Sequence, residues 1–232
     1  MFSTELENPV WKALSETHKA FAINYKGVKF YDPDICPFGS FIDIKDTDKA
    51  MELYSELCHD FFIVGNQQPK HHQSLILERT VACHQMMINE KIPFEHNYKI
   101  EKLTKLHINE LYELVWLVMP GYFKKRTFEM GDYYGIFINN KLVAAAGERF
   151  RMENYTEISA VVTHPDYMRR GMAKQLVIYI SNQILKKRKT PILHVVKENT
   201  KALKLYNNLG FKIIGEMTWR HYIKNRNYLN SI

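Results

Sequence analysis

The stretch from Val161 to Ile184 passes from strand through basic turn into helix, and no other segment restricts the fold as strongly. Val161, Val162 and Thr163 end an apolar strand, His164 and Pro165 interrupt it, and Arg169, Arg170 and Gly171 form a turn with a single glycine. Beyond the turn, Ala173, Leu176, Val177, Ile180 and Ile184 recur at spacings of three and four, the stripe of an amphipathic helix with one buried side. The helix therefore begins at the turn. Its first amides have no intrahelical acceptor, and the aligned peptide dipoles place roughly half a positive charge there. Arg170, Gly171, Met172 and Ala173 can donate to an anion, with Arg169, Arg170 and Lys174 as countercharge, an arrangement suited to a diphosphate. On its own the segment is equally compatible with a tight turn whose arginines face water.

A second cluster, Leu193 to Phe211, belongs with the first. A strand is followed by a helix that Asn199 suits as a cap, and Tyr206 lies seven residues on, two helical turns later, on the side shared with Ala202. Leu205 and Leu209 then face the core. With these two motifs the chain resembles the GNAT superfamily of acyl-CoA-dependent N-acyltransferases, from about Leu111 to Ile223. One departure is Met168, where that family usually has Gln or Arg at the first position of its loop. Runs at Pro120 to Phe123, Arg126-Thr127, Ala146 to Arg149 and Thr156 to Ser159 are similar to a bacterial subfamily whose substrates are mostly unassigned.

The resemblance implies a mixed, mostly antiparallel sheet flanked by helices, holding acetyl-CoA or another acyl-CoA as donor. It also implies that Val161, Val162 and Thr163 pair with the pantetheine arm, that Asn199 bonds the arm or caps its helix, and that Tyr206 is the acid for the departing thiol. Glu157 stands four residues before Val161, so strict alternation would put both side chains on one face. A lysine-type amine has a pKa of roughly 10.4, so a nearby carboxylate would help deprotonate it, and the resemblance puts a glutamate at this place. The competing reading pairs Glu157 with Arg149 or Arg151, and His194 is then the substitute base. Glu148 and Arg149 either line the acceptor pocket or form an ion pair. Gln85, Met86, Tyr122, Phe123 and Arg126 are weaker acceptor-side candidates.

The 232 residues allow one good core and a smaller companion, read as an α+β lobe over 1–95, possibly a degenerate copy of the second, and a catalytic domain over 96–232. A polar, proline-broken linker is expected at Glu90 to Asn97. Residues 1–100 carry 10 Lys and Arg against 14 Asp and Glu, whereas 101–232 carry 22 against 11, so the basic half holds the motifs. Such a field attracts a polyphosphate. A nucleic-acid partner is not expected, since the tight basic cluster Lys186 to Lys189 reads as a helix end facing water. Cys36, Cys58 and Cys83 are irregularly spaced and read as reduced thiols, and the adjacent His71 and His72 do not suit one metal, so no metal is expected. The opening Met1 to Asn8 lacks a secretory pattern and no stretch is long enough to span a bilayer; the expectation is a cytoplasmic protein. The acceptor, small molecule or protein lysine, is open, as is oligomeric state. A catalytically silent CoA sensor or partner-binding module is the alternative function.

Overall fold

The computed structural model describes residues 4–93 and 97–225. Eleven strands form one sheet in the order β1-β2-β3-β4-β11-β5-β10-β9-β8-β7-β6. In chain order they are β1 Ala22–Tyr25, β2 Val28–Tyr31, β3 Phe38–Phe41, β4 Asp60–Val64, β5 Leu75–Met87, β6 Glu101–Lys102, β7 Tyr133–Ile138, β8 Lys141–Arg151, β9 Tyr155–Thr163, β10 Thr190–Val196 and β11 Lys212–Lys224. The helices are α1 Pro9–Ser15, α2 Thr47–Ser55, α3 Ile108–Val118, α4 Met172–Lys186 and α5 Thr200–Asn208. Only β3/β4 and β9/β10 run parallel, so the architecture is mixed α+β with a mostly antiparallel sheet.

Local chemistry sets these elements. The Asn8 side chain accepts from the Trp11 amide and Pro9 occupies the first turn of α1. Asn139 and Asn140, at φ 49° and 60°, turn β7 into β8 as a two-residue hairpin. On β8, Ala144 and Ala146 pack toward α4 while Ala145 packs toward α3, so the two helices cover opposite faces. In α4, Leu176, Val177, Ile180 and Ile184 are fully buried, each contributing about 1.5–3 kcal/mol of apolar burial.

The first half repeats the plan of the second. Strands β1 to β3, α2 and the parallel β4 correspond in order and direction to β7 to β9, α4 and the parallel β10. The last strands are exchanged: β5 pairs with β10 and β11 pairs with β4, and β5 and β11 join along most of their lengths. The sheet therefore does not stop at residues 95/96, because β5 crosses into the second half. The segment expected as a linker includes residues 94–96, and the N-terminal stretch includes residues 1–3, both outside the described residues. Two further expectations change. Strand composition predicts separate short strands at 74–77 and 81–88 and at 211–214 and 218–223, but each pair is a single thirteen-residue strand, and the brief strand predicted at 41–44 lies instead at Phe38–Phe41.

Candidate functional site

Strand β9 and its parallel neighbour β10 pair only at Thr190↔Tyr155, Pro191↔Thr156 and Ile192↔Glu157. Past that point β10 continues against β5, and the β9 edge from Ile158 to Thr163 faces a gap. The divergence has a local cause. Ala160 sits at φ 50°, and between Val162 and Ser159 the β8 partner advances only from Ala145 to Gly147, so a bulge bends β9 there. Gly147 is opposite the bend, where a Cβ would lie 2.2 Å from Tyr133 Cδ1.

A cavity of about 250 Å³ fills the gap, and it has two ends of different character. Val161, Val196, Asn199, Ala202 and Tyr206 form one; Phe38, Phe62, Tyr122 and Trp219 form the other, with Arg149 and His194 in the wall. No Asp or Glu is among its lining residues. Tyr122 follows α3, while Phe38, Phe62 and Trp219 come from β3, β4 and β11, elements that period and spacing alone do not bring to β9. A run of aromatics such as Phe61-Phe62 signals a core strand, and only the sheet order turns Phe62 toward a pocket.

Gly171, at φ 78°, opens α4 as its N-cap, and a Cβ there would meet nothing within 4 Å. The backbone conformation, not crowding, calls for glycine. The first amide that takes a backbone carbonyl is Gln175, from Gly171 O at 3.1 Å. Among the described residues the amides of Arg170, Gly171, Met172, Ala173 and Lys174 have no acceptor, as expected of an anion site. Arg169, at φ 61°, and Lys174 are exposed, while Arg170 folds back over the Tyr167 ring at 5.1 Å. A second groove, of about 530 Å³, is lined by Arg170, Gly171, Lys174 and Ile92 among others. The Met172 and Val162 side chains are core, so those residues can offer only backbone. Thr163 has a buried hydroxyl without a partner. These residues fit a diphosphate and an extended polar arm.

Asn199 caps α5 by accepting from the Ala202 amide at 3.1 Å, which fixes the helix that carries Tyr206. The Tyr206 ring is 8% exposed and lies against Phe211. Burial pushes its hydroxyl up to about 12. It makes no hydrogen bond to any described residue.

Glu157 does not look into the cleft as alternation suggested, and it does not line the cavity. The bulge at Ala160 breaks the period-two pattern: Val161 packs toward α4, while Glu157 points to the other face, against Arg149. There it is fully buried and takes Arg149 Nε at 2.8 Å and Nη2 at 2.6 Å, with His194 Nδ1 2.6 Å from Oε1. Burial alone would raise its pKa, but the Arg149 charge and the hydrogen bonds from Arg149 and His194 outweigh burial and hold it at about 2. His194 Nε2 is 3.1 Å from Gln85 Nε2, whose amide also donates to Leu6 O. Ionised Glu157 and the Gln85 donor together select the His194 tautomer protonated at Nδ1.

The remaining candidates separate. Tyr122 reaches the cavity and accepts from Arg79 Nη2 at 2.7 Å. Phe123 and Met86 are core, and Arg126 pairs with Glu129 and Asp32 away from it. Glu148 forms a buried ion pair with Arg151 and Lys187, so Lys187 is tied down and the basic cluster is not wholly a water-facing helix end. Among the described residues no three His, Cys, Asp or Glu side chains could hold a metal, and no helix is long and apolar enough to cross a membrane.

The family model for FR47-like proteins matches residues 133–220, the stretch from β7 into β11 that contains the turn and the part of the cavity wall from β9, β10 and α5. No curated protein matches the chain. A GNAT-family protein from Novosphingobium aromaticivorans has a similar structure, with TM-score 0.86 at 25% identity over 96% of this chain and 100% of that one. A GCN5-related N-acetyltransferase from Kribbella flavida gives 0.63 at 12% identity, covering 95% and 98% of the two chains. A GCN5-related N-acetyltransferase-like protein from Streptococcus suis gives 0.62 at 13%, covering 94% and 93%. The last two share the fold.

Proposed function

We propose that this chain, which belongs to the GNAT superfamily, moves an acyl group, acetyl in the simplest case, from acyl-CoA to a primary amine by direct attack with both substrates held together. The observation that carries the reading is the unpaired β9 edge leading to unpaired amides at the head of α4, beside a cavity lined by the unpartnered Tyr206.

Each residue has a physical part. The Arg170 to Ala173 amides bind the diphosphate, with Arg169, Arg170 and Lys174 as countercharge. The backbone of Val161, Val162 and Thr163 pairs with the pantetheine arm as an added strand would, and an amide on that edge faces the carbonyl oxygen. Acyl-CoA, when bound, supplies the thioester. Tyr206, held at about 12, keeps its proton at neutral pH and has it ready for the sulfur.

The amine proton goes to His194 at Nε2, the ring nitrogen that Glu157 does not hold, with the amine replacing Gln85 as its partner. Glu157 is a positioning residue: its carboxylate fixes the His194 tautomer and supports the imidazolium. Tyr206→Phe tests the reading. Turnover should fall roughly ten- to ten-thousand-fold while acetyl-CoA affinity stays within about twofold. Unchanged turnover would remove Tyr206 from the mechanism.

A further inference from the structure

We propose that the acceptor is a small apolar amino acid, its carboxylate bound by the outer edge of Arg149 and by the indole N–H of Trp219. The inference rests on the acyl-transfer reading and names its substrate class. Arg149 commits Nε and Nη2 to Glu157, which leaves Nη1 without a partner among the described residues. The side chain is 16% exposed and lines the cavity, so Nη1 is the edge a ligand meets. The guanidinium carbon is 4.7 Å from the Trp219 ring centre and 5.4 Å from that of Phe38. Trp219, in the same wall and 7% exposed, has a buried Nε1 with no acceptor. An unpaired buried donor is destabilising, and a ligand oxygen would satisfy it.

The cavity offers donors and rings but no carboxylate, so a polycationic amine finds no countercharge there. An apolar side chain suits Phe38, Phe62 and Tyr122, and the exposed Arg79, whose guanidinium is 5.8 Å from the Phe62 ring, adds positive potential at the mouth. With Glu157 locked as an ion pair the site holds no strong base. An α-amine releases its proton more readily than a lysine ε-amine, which fits this weaker acceptor. In the transfer, the amine, its ammonium proton already lost to solvent, bonds the acyl carbon through its neutral nitrogen as the carbon–sulfur bond breaks. The surplus nitrogen proton goes to His194 and the sulfur takes the Tyr206 proton, which solvent restores.

Thiol release from acetyl-CoA is measured with L-phenylalanine and L-leucine against phenethylamine and isoamylamine, the same molecules without the carboxylate. The amino acids should show kcat/KM at least about tenfold higher, and Trp219→Phe should shrink that preference at least about threefold, mainly through KM. Calorimetry of N-acetylphenylalanine against N-acetylphenethylamine, with free CoA present, should show the same order without relying on turnover. Equal use of the decarboxylated amines, or a preference that survives both Trp219→Phe and Arg149→Lys, would overturn the assignment. Binding of acetyl-CoA with no thiol release from any amine would instead overturn the acyl-transfer reading beneath it.

Discussion

Glu157, Arg149 and His194 come from three separate strand positions and close into one buried network. Removing the Glu157 charge leaves the largely buried Arg149 guanidinium without its counterion. Glu157→Gln should therefore destabilise the protein by about 3–5 kcal/mol, the cost of an uncompensated buried arginine, with little change in acetyl-CoA affinity. Urea denaturation beside a binding titration checks this, and a loss under about 1 kcal/mol would contradict it. The residues themselves were readable in the sequence, since Glu157 and Tyr206 stand at meaningful distances from the turn. Their orientation was not fully readable. Tyr206 follows helical spacing and reaches the cavity, whereas Glu157 was placed by an alternation that the bulge at Ala160 interrupts. The Trp219 and Phe38 contribution depends on which strands become neighbours, a property no local period carries.

The strand–turn–helix element from β9 to α4 rests on one left-handed glycine. Gly171→Ala meets no neighbour, so its cost is backbone strain of about 1–2 kcal/mol. If the turn relaxes to escape that strain, the amides at 170–173 lose their common direction, and acetyl-CoA affinity should fall roughly tenfold while the aromatic end of the cavity stays intact. Melting temperature and calorimetric affinity measured on one preparation check both halves of the prediction. Wild-type affinity despite the expected strain would mean that side-chain charge alone binds the phosphates. This element was legible because its chemistry is local. The two long strands were harder: polar Glu78, Arg79 and Thr80 in β5, and Gly215 and Glu216 in β11, read as breaks between short strands.

Across the whole molecule, β5 and β11 tie the two halves into one sheet, and the buried His18 joins elements from both. Its ring meets the Tyr31 hydroxyl at 2.9 Å and Met130 O at 3.0 Å, and burial lowers its pKa to about 4. Unfolding returns it to about 6.5, so between those values the unfolded chain binds the extra proton. Stability from His18 is complete above about 6.5 and is lost as pH falls toward 4. Glu157 and Asp132, both held at about 2, extend the loss from the ordinary carboxylate range down to that value. Urea midpoints across pH 7 to 4 should decline, and His18→Gln should flatten that limb; a slope unchanged by the substitution would assign it elsewhere. The repeated plan of the two halves was only faintly visible, because the first half keeps the strand order without a glycine turn before α2, which starts after Asp46.

A calorimetric titration with acetyl-CoA at low and high salt tests most directly whether the open β9 edge and the bare amides at the head of α4 form an acyl-CoA site. The account predicts saturable one-to-one binding at roughly micromolar concentrations, weakened as salt screens the phosphates. No heat and no thermal shift up to roughly millimolar acetyl-CoA would contradict it.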